Sequence, residues 1–328
     1  MLNWLHKLPA HWQNQSPITY ALRPVEWVYR LLILVRRLMY QWAWFKQTRV
    51  NALVIVVGNV VVGGGGKTPL CISLVQHLKS QGKNVAVISR GFGRQSQDLQ
   101  AVNDLSLVSQ VGDEPLLIHQ KCGVPVVVSR NRVEAAQWVL QQYPSIEILV
   151  CDDGLQHLAL HRDIEICVMD SSGIGNGRLL PAGPLREPWP RPVSLLLHTH
   201  RRSLPEGYES NRQLSDVAIS SDGSQVPLNS LENQALEVVT GIAKPDAFIA
   251  MLKERHLFIQ NSTALPDHDD FSKWSPHFPQ CQLVCTEKDA IKLWARHPSA
   301  LAIPLIFEPE NNFWIELDSQ IAARQRYH

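Results

Sequence analysis

Residues 53–68, LVIVVGNVVVGGGGKT, carry the most specific structural signal in this chain. The first five of them form an apolar run that predicts a buried strand. Four consecutive glycines follow: Gly63, Gly64, Gly65 and Gly66. Lys67 and Thr68 come next, and an apolar pattern of helical period begins directly after them. A strand, a glycine loop and a helix in this order predict a phosphate-binding loop.

The chemistry of such a loop predicts a polyphosphate ligand together with Mg²⁺. Glycines let the backbone approach phosphate closely, successive N–H groups form an anion-binding nest, and the helix dipole favours negative charge. We expect Lys67 to reach the terminal phosphates and the Thr68 hydroxyl to bind Mg²⁺. The strict pattern G-x-x-x-x-G-K-[ST] places glycine where this chain has Val61. The alternative is a glycine-rich turn followed by a chance Gly-Lys-Thr.

Composition limits the class of protein. The chain has 328 residues, so about two domains are expected. It is 45% hydrophobic and 19% charged with a net charge of +1, which excludes a disordered chain and gives no basis for binding nucleic acid. The six cysteines, mostly in apolar runs, indicate buried thiols in a reducing compartment. No obligate protein partner is evident.

The first 50 residues differ from the rest of the chain. They contain seven basic residues against one acid, and five of the ten tryptophans. A helical pattern from Pro24 to Lys46 has a broad apolar face and a narrow polar stripe. Its longest uncharged run, 38–45, is far shorter than the ~20 residues of a membrane span. The pattern favours an amphipathic helix lying on a membrane surface; the alternative is a helix packed in an ordinary core.

Strands and helices alternate beyond the loop. We predict strands at 84–89, 124–129, 146–151, 164–169 and 193–198, which indicates an α/β protein with a doubly wound, mainly parallel, P-loop NTPase-like sheet. A second, smaller α/β domain follows, with strands predicted at 236–240, 283–285 and 302–307 and helices at 245–255 and 287–294. The predicted segments are 1–50 (amphipathic, membrane-associated helix), 51–205 (phosphate-loop core), 206–233 (polar linker, with short extended segments as the alternative) and 234–328 (C-terminal domain).

Acidic motifs lie where strand ends are predicted. Asp152 follows a predicted buried strand at the Walker B position, where a carboxylate holds Mg²⁺. Asp153 supplies a second carboxylate next to it. The alternative is an ordinary polar turn after a strand. Asp113 precedes a helical pattern and suits either a helix cap or a base that deprotonates a hydroxyl. His268 stands among acids in PDHDDF (266–271), where most histidines are merely surface residues.

Arg90 and Arg94 are candidates for contact with an anionic substrate. Both lie near the predicted carboxyl end of a strand, where the ligands of such sheets gather. Neither is decisive alone.

Taken together, these stretches resemble the tetraacyldisaccharide 4′-kinase family, the lipid A 4′-kinases. The matching motifs are GNVVVGGGGKTP (58–69), SRGFGR (89–94), GDEP (112–115), DDGLQH (152–157), GRLLPAGPLREP (177–188), PDHDDF (266–271) and TEKDAIKL (286–293). Seven motifs in order are more specific than the loop alone. The family usually has Thr where this chain has Gly65, Ser or Thr at Val61, and often Tyr at Phe92.

The resemblance implies transfer of the ATP γ-phosphate to the 4′-hydroxyl of tetraacyldisaccharide 1-phosphate, which yields lipid IVA in lipopolysaccharide biosynthesis. It implies ATP and Mg²⁺ as cofactors and the cytoplasmic face of a Gram-negative inner membrane. Two domains facing a cleft are expected, with the N-terminal helix at the membrane.

The resemblance also assigns roles to residues. Asp113 is the implied base and His268 its partner from the other domain, while Lys67 and Thr68 hold phosphates and Mg²⁺. Asp152, Asp153 and Glu114 are the implied acidic Mg²⁺ ligands. We further predict substrate contacts at Arg90, Arg94, His157 and Arg186.

Two other hypotheses belong to different classes. One is a membrane-associated P-loop ATPase or GTPase switch without a lipid acceptor, which would need a guanine-reading motif such as N-K-x-D that the chain lacks in a plausible position. The other is a non-catalytic nucleotide-binding scaffold, which would not need Asp113 together with a remote His268.

Overall fold

The computed structural model describes residue 12, residues 16–63 and residues 65–325. Predictions for Gly64 and for the N-terminal residues before position 16, other than Trp12, lie outside the described residues. The helices are α1 (Pro17–Ala21), α2 (Arg23–Gln41), α3 (Lys67–Ser80), α4 (Val108–Val111), α5 (Asp113–Cys122), α6 (Arg132–Gln142), α7 (Pro245–Glu254), α8 (Glu287–Leu293) and α9 (Asn311–Gln325).

The strands are β1 (Leu53–Gly58), β2 (Val85–Ser89), β3 (Gln100–Ala101), β4 (Val126–Val128), β5 (Ile148–Asp152), β6 (Ile164–Met169), β7 (Leu195–His198), β8 (Tyr208–Leu214), β9 (Val217–Ile219), β10 (Gln225–Pro227), β11 (Leu236–Thr240), β12 (Ile259–Ala264), β13 (Gln282–Thr286), β14 (Leu301–Ile303) and β15 (Leu305–Pro309).

The chain divides into two compact units. The first comprises Met1–Ser89, Asn131–Ser210 and Pro309–His328, and the second comprises Arg90–Arg130 and Asn211–Glu308. The sequence predicts residues 51–205 as one core domain, but the structure assigns 90–130 to the second unit. That segment carries α5, which packs on α8. Periodicity reports local structure and not such long-range contacts, so the predicted boundary is wrong here.

The first unit contains the predicted doubly wound sheet. Its strands lie in the order β7-β6-β1-β5-β2, and every neighbouring pair is parallel. All residues of β1 are buried, as expected of a parallel strand covered on both faces. Val57 pairs in register with Asp152, so the predicted metal-binding carboxylate is level with the end of β1, where the glycine loop begins.

Helix α2 lies in the first unit with much of its apolar side exposed and its one acidic side chain buried. Glu26 is only 1% exposed, whereas Trp27 and Leu31 are 68% and 59% exposed. This reverses the burial expected of a helix in a soluble protein. The helix ends earlier than predicted, because Ala43, just beyond it, adopts a positive φ of 58°. In the described part of the chain, no helix is long and apolar enough to cross a membrane.

The second unit is built on a smaller mixed sheet. Its strand order is β10-β9-β14-β13-β11-β12, with the four strands β14, β13, β11 and β12 parallel. One core cluster includes Phe248 and Leu252 of α7, and another surrounds Phe271, which is fully buried. The carboxyl ends of β11 and β13 lead towards α7 and α8, so this edge of the sheet is where polar groups should gather.

The segment 206–233, predicted as a linker with short extended segments as the alternative, contains short strands. The structure forms β8, β9 and β10 there, followed by a 3₁₀ turn at Leu228–Leu231. These strands are polar and only partly buried, so they lack the apolar runs that identify central strands. The predicted strand at 302–307 is two strands, β14 and β15, separated by Pro304, whose nitrogen cannot donate a ladder hydrogen bond.

Candidate active site

The phosphate loop leads directly into α3. Gly66, immediately before the helix, has a φ of 109°, which glycine adopts without the steric cost of a side chain. Because Gly66 carries no side chain, it supplies no side-chain cap to the N-terminus of α3. A β-carbon at Gly63 or Gly65 would meet no described atom within 4 Å, so the loop borders open space. This arrangement suits an anion.

Three charged groups lie close together next to the phosphate loop. The Lys67 ammonium is 3.7 Å from Asp153 Oδ1, and Arg186 Nη1 donates to both oxygens of Asp153 at 3.0 and 3.1 Å. Burial alone would raise the pKa of Asp153, but the charges of Lys67 and Arg186 outweigh it and lower that pKa. Asp153 is therefore an anion at neutral pH, and it links the predicted phosphate-binding lysine to the predicted substrate arginine.

Asp152 is buried at the end of β5. Ser89 Oγ donates to Asp152 Oδ2 at 3.1 Å, Cys71 Sγ lies 3.6 Å from Oδ1, and Arg132 donates to the Asp152 carbonyl at 3.3 Å. Sequence reasoning missed Ser89 and Arg132 as neighbours of this carboxylate. The position of Ser89 at the end of the neighbouring strand β2 is a signal that could have found it.

Asn59 is a second residue that sequence reasoning missed. It follows β1 directly, and its side chain is buried. Both polar atoms of its amide lack a hydrogen-bond partner among the described residues. Because a buried unpaired amide is unfavourable, Asn59 is a candidate for contact with a bound group near the start of the phosphate loop.

The predicted metal ligands do not form a preassembled acidic cluster. Across residues 16–63 and 65–325, no three His, Cys, Asp or Glu side chains are grouped so that they could hold a metal ion. Thr68, Asp152 and Asp153 belong to the first unit. Glu114 belongs to the second unit, where its Oε1 accepts a hydrogen bond from Lys288 at 3.1 Å.

The predicted base and its partner meet in the second unit. Asp113 begins α5 and is 2% exposed. His268 Nδ1 lies 3.0 Å from both oxygens of Asp113. The backbone N–H of His268 donates to the Gly241 carbonyl beyond β11. Asp113 Oδ1 also accepts the N–H of Glu114 at 2.9 Å, so it satisfies an N–H at the start of α5 as well.

Two lysines of α8 complete this site. Lys292 Nζ donates to Asp113 Oδ2 at 3.1 Å, and Lys288 Nζ lies 3.5 Å from His268 Nε2. The motif TEKDAIKL predicts both on one helical face, four residues apart, which is a signal sequence reasoning did not use. Burial alone would raise the pKa of Asp113, but the His268 hydrogen bond and the two lysines hold it well below its ordinary value.

The charges also affect Lys288. Burial alone would lower the pKa of its ammonium, but Glu114, Asp113 and Asp267 outweigh burial and raise that pKa. At neutral pH Asp113 is therefore ionised and Lys288 is protonated.

The location of the pair corrects one prediction. The sequence places Asp113 and His268 on separate domains, so that domain closure would assemble them. The structure places both residues in the second unit, already in contact. Their contact is a property of α5 and the segment after β12, which the sequence order of the two residues does not reveal.

The predicted substrate residues fall into different environments. Arg90 is exposed, whereas Arg94 donates to the carbonyls of Asp98 and Gln97 at 2.6 and 3.0 Å. The His157 carbonyl accepts from Arg162, and its ring is half-buried. The Arg186 side chain donates hydrogen bonds to Asp153, as described above. In the second unit, the exposed Phe92 ring lies 4.9 Å from the His268 ring.

Comparison with known proteins shows the family of the chain. The family model described as tetraacyldisaccharide-1-P 4′-kinase matches residues 18–322. The chain is 46% identical to the tetraacyldisaccharide 4′-kinase of Verminephrobacter eiseniae (strain EF01-2), over 98% of this chain and 76% of that one. It is 45% identical to the enzyme of the same name from Acidovorax sp. (strain JS42), over 97% and 95% of the two chains.

A solved structure is also similar. It is the "apo" form of LpxK from Aquifex aeolicus in complex with ATP, with a TM-score of 0.80 and 28% sequence identity. The similarity covers 93% of this chain and 99% of that one. With the phosphate loop and the buried Asp113 in place, the chain belongs to the tetraacyldisaccharide-1-P 4′-kinase family.

Proposed function

We propose that the protein transfers the γ-phosphate of ATP to the 4′-hydroxyl of tetraacyldisaccharide 1-phosphate and so forms lipid IVA. The observation that carries this proposal is the buried Asp113 carboxylate held by His268. A nucleotide switch or scaffold needs a phosphate loop, but it does not need a buried carboxylate that can accept a proton from an alcohol. The names of the relatives supply the chemical identity of the acceptor.

Asp113 acts as the general base in this proposal. Its low pKa keeps it ionised, and an ionised carboxylate accepts the hydroxyl proton as the new O–P bond forms. A carboxylate alone is a weak base, so in this proposal His268 holds it in position through a hydrogen bond. An ionised Asp113 can only accept hydrogen bonds, so the His268 Nδ1 that faces both of its oxygens carries a proton and donates it.

Lys67 and the start of α3 stabilise the transferred phosphate. Phosphoryl transfer involves little covalent chemistry by the protein, so catalysis depends on positioning and on compensating negative charge. The Lys67 ammonium and the N–H groups of the glycine loop supply that compensation. Arg186 holds Asp153 beside Lys67 and so keeps the lysine at the loop.

Mg²⁺ fits the oxygen donors of the first unit. Thr68, Asp152 and Asp153 are the residues that would hold it, and the bound ion would neutralise charge on the β- and γ-phosphates. Mg²⁺ in such sites typically uses one or two carboxylates with phosphate oxygens and waters, so a preassembled acidic cluster is not required. Glu114, predicted as a further ligand, would have to leave Lys288 to take that role.

Helix α2 is the proposed membrane anchor. Trp27, Leu31 and their apolar neighbours are exposed together, and the helix carries Arg30 and Arg36. Such a helix is suited to the boundary between lipid headgroups and acyl chains, where tryptophan and arginine are favourable. We propose peripheral attachment to the cytoplasmic face of the inner membrane, where ATP and the lipid acceptor are both present, without an obligate protein partner.

The proposal has a direct test. The purified protein is incubated with γ-labelled ATP, Mg²⁺ and detergent-solubilised tetraacyldisaccharide 1-phosphate, and the lipid fraction is analysed. We expect label in a bisphosphorylated lipid, with none formed by Asp113→Asn on the same time scale. Release of inorganic phosphate at an equal rate with and without the lipid would instead indicate an ATPase.

A further inference from the structure

Helix α2 contacts residues 184–187, here called the 184–187 loop, through polar side chains. The Tyr29 hydroxyl donates to the Arg186 carbonyl at 3.0 Å, and Arg37 Nη2 donates to Glu187 Oε2. Tyr29 and Arg37 lie eight residues apart, so they share one face of the helix. Burial raises the pKa of the Tyr29 hydroxyl against the opposing charge of Arg186, so Tyr29 remains a donor at neutral pH. The same helix therefore holds two consecutive loop residues while exposing its apolar side.

Glu187 joins the helix to the beginning of the phosphate loop. It is 5% exposed, and besides Arg37 it accepts from Gln156 Nε2 at 2.7 Å and from Arg191. Gln156 Nε2 is also 3.1 Å from the Asn59 carbonyl, directly after β1. A buried carboxylate with several donors fixes the positions of all of them, because losing one leaves the charge poorly compensated.

Residues 184–187 also lie along the phosphate loop. The Arg186 N–H donates to the Val60 carbonyl at 2.7 Å, and the Val62 N–H donates to the Pro184 carbonyl at 2.9 Å. Val61 and Leu185 form an antiparallel bridge between these two segments. The Arg186 side chain then reaches Asp153, which lies beside Lys67. The contacts thus run without interruption from α2 to the phosphate-binding lysine.

We propose that Tyr29 and Arg37 of α2 are positioning residues that hold the 184–187 loop and thereby set the affinity of the phosphate loop for ATP. The inference rests on the proposed function for the identity of the nucleotide. It gives α2 a second role beside attachment to lipid: a displacement of the helix would be transmitted through Arg186 and Glu187 to Asp153 and Lys67.

The test measures ATP binding without lipid, by calorimetry on the full chain with Mg²⁺. We expect Arg37→Gln and Tyr29→Phe to weaken ATP binding by about 3- to 30-fold, the range typical of residues that act through others. Arg37→Lys should recover part of the loss. Arg37→Gln combined with Glu187→Gln should be less than additive, since the two residues act through one contact.

Arg30→Gln is the matched control. It removes the same charge from α2, but the side-chain partner the structure gives Arg30 is Glu26 within the helix. If Arg37→Gln weakened ATP binding no more than Arg30→Gln, the inference would be wrong. If Arg37→Gln fails to fold, Tyr29→Phe, which loses one oxygen atom, decides alone. Failure of the proposed function is a separate result, namely no phosphorylated lipid from the unaltered protein.

Discussion

Asp113 receives more hydrogen bonds than a free carboxylate base would. His268 faces both of its oxygens, Glu114 donates to one and Lys292 to the other. A carboxylate has about four lone-pair sites and only three donors are present among the described residues, so a substrate hydroxyl gains a site once His268 donates to a single oxygen. The contact with His268 is the natural one to shift, because a single N–H cannot bond fully to two oxygens at once.

Asp113 and His268 should act as a unit, so the losses in turnover on replacing them should not add. We expect Asp113→Asn to lower kcat by roughly 10²- to 10⁴-fold while leaving ATP affinity nearly unchanged. His268→Ala should lower kcat less, and the double variant should be barely slower than Asp113→Asn. Steady-state kinetics with the lipid acceptor measure all three. Fully additive losses would mean that the residues act independently.

The lowered pKa of Asp113 also predicts a pH dependence of stability. The ionised carboxylate stabilises the folded state above its unfolded pKa of about 4, and this contribution is lost as the pH falls from there towards the lower folded pKa. We expect the Tm difference between the unaltered protein and Asp113→Asn to shrink below about pH 4. Thermal melts measure it, with Asp104→Asn, whose side chain is 92% exposed, as control. A constant difference at lower pH would contradict the assignment.

The phosphate loop gives the third prediction at this scale. Lys67→Ala and Thr68→Ala should each abolish useful turnover even at saturating ATP, because the first removes charge compensation and the second a predicted Mg²⁺ ligand. Chelation of divalent cations should have the same effect on the unaltered protein. Rates near normal for either variant would remove the corresponding role.

Helix α2 is the element whose burial pattern departs most from that of a soluble protein. Replacing Trp27 and Leu31 together by glutamate should release the protein from anionic liposomes in a sedimentation assay. Both side chains are largely exposed, so thermal stability should change little. The matched control is Leu105→Glu with Leu107→Glu, two leucines exposed in the second unit. Equal sedimentation of the two double variants would argue against a membrane role for α2.

The elements that could be predicted are those with strong local patterns. β6 and β11 match their predicted ranges, and β1 and β5 differ from theirs by one or two residues. β12 was missed, since its sequence IQNSTA lacks an apolar run and its side chains are at most half-buried. It forms a strand because it pairs with β11, a tertiary contact that propensity does not encode.

For the whole molecule, the sequence indicated which residues to consider but not how they are arranged, and their catalytic roles stay predictions. The phosphate loop and Asp152 followed from motifs, and the pair of Asp113 with His268 followed from the family resemblance. The roles of Lys288, Lys292 and Glu187 as partners did not, because each depends on which elements meet in space. The same reason explains why residues 90–130 were predicted in the wrong unit.

The division into two units predicts which residues unfold together in local unfolding. Phe271→Ala removes a fully buried ring from the core of the second unit and should cost about 3–5 kcal/mol there. Hydrogen exchange should then accelerate at 211–308 and also at 90–130, while β1 and α3 keep their protection. If residues 90–130 stayed as protected as β1, they would belong energetically to the first unit.

If the outward apolar side of α2 holds the enzyme at a lipid surface, as proposed above, the substrate concentration that sets the rate is a surface concentration. A protein held at a lipid surface meets an acceptor confined to that surface, so the encounter takes place in two dimensions. Its rate then follows the number of acceptor molecules per unit area and not their number per unit volume. Inert lipid added at constant acceptor dilutes the surface and slows the reaction, while the volume of the surrounding solution has little influence.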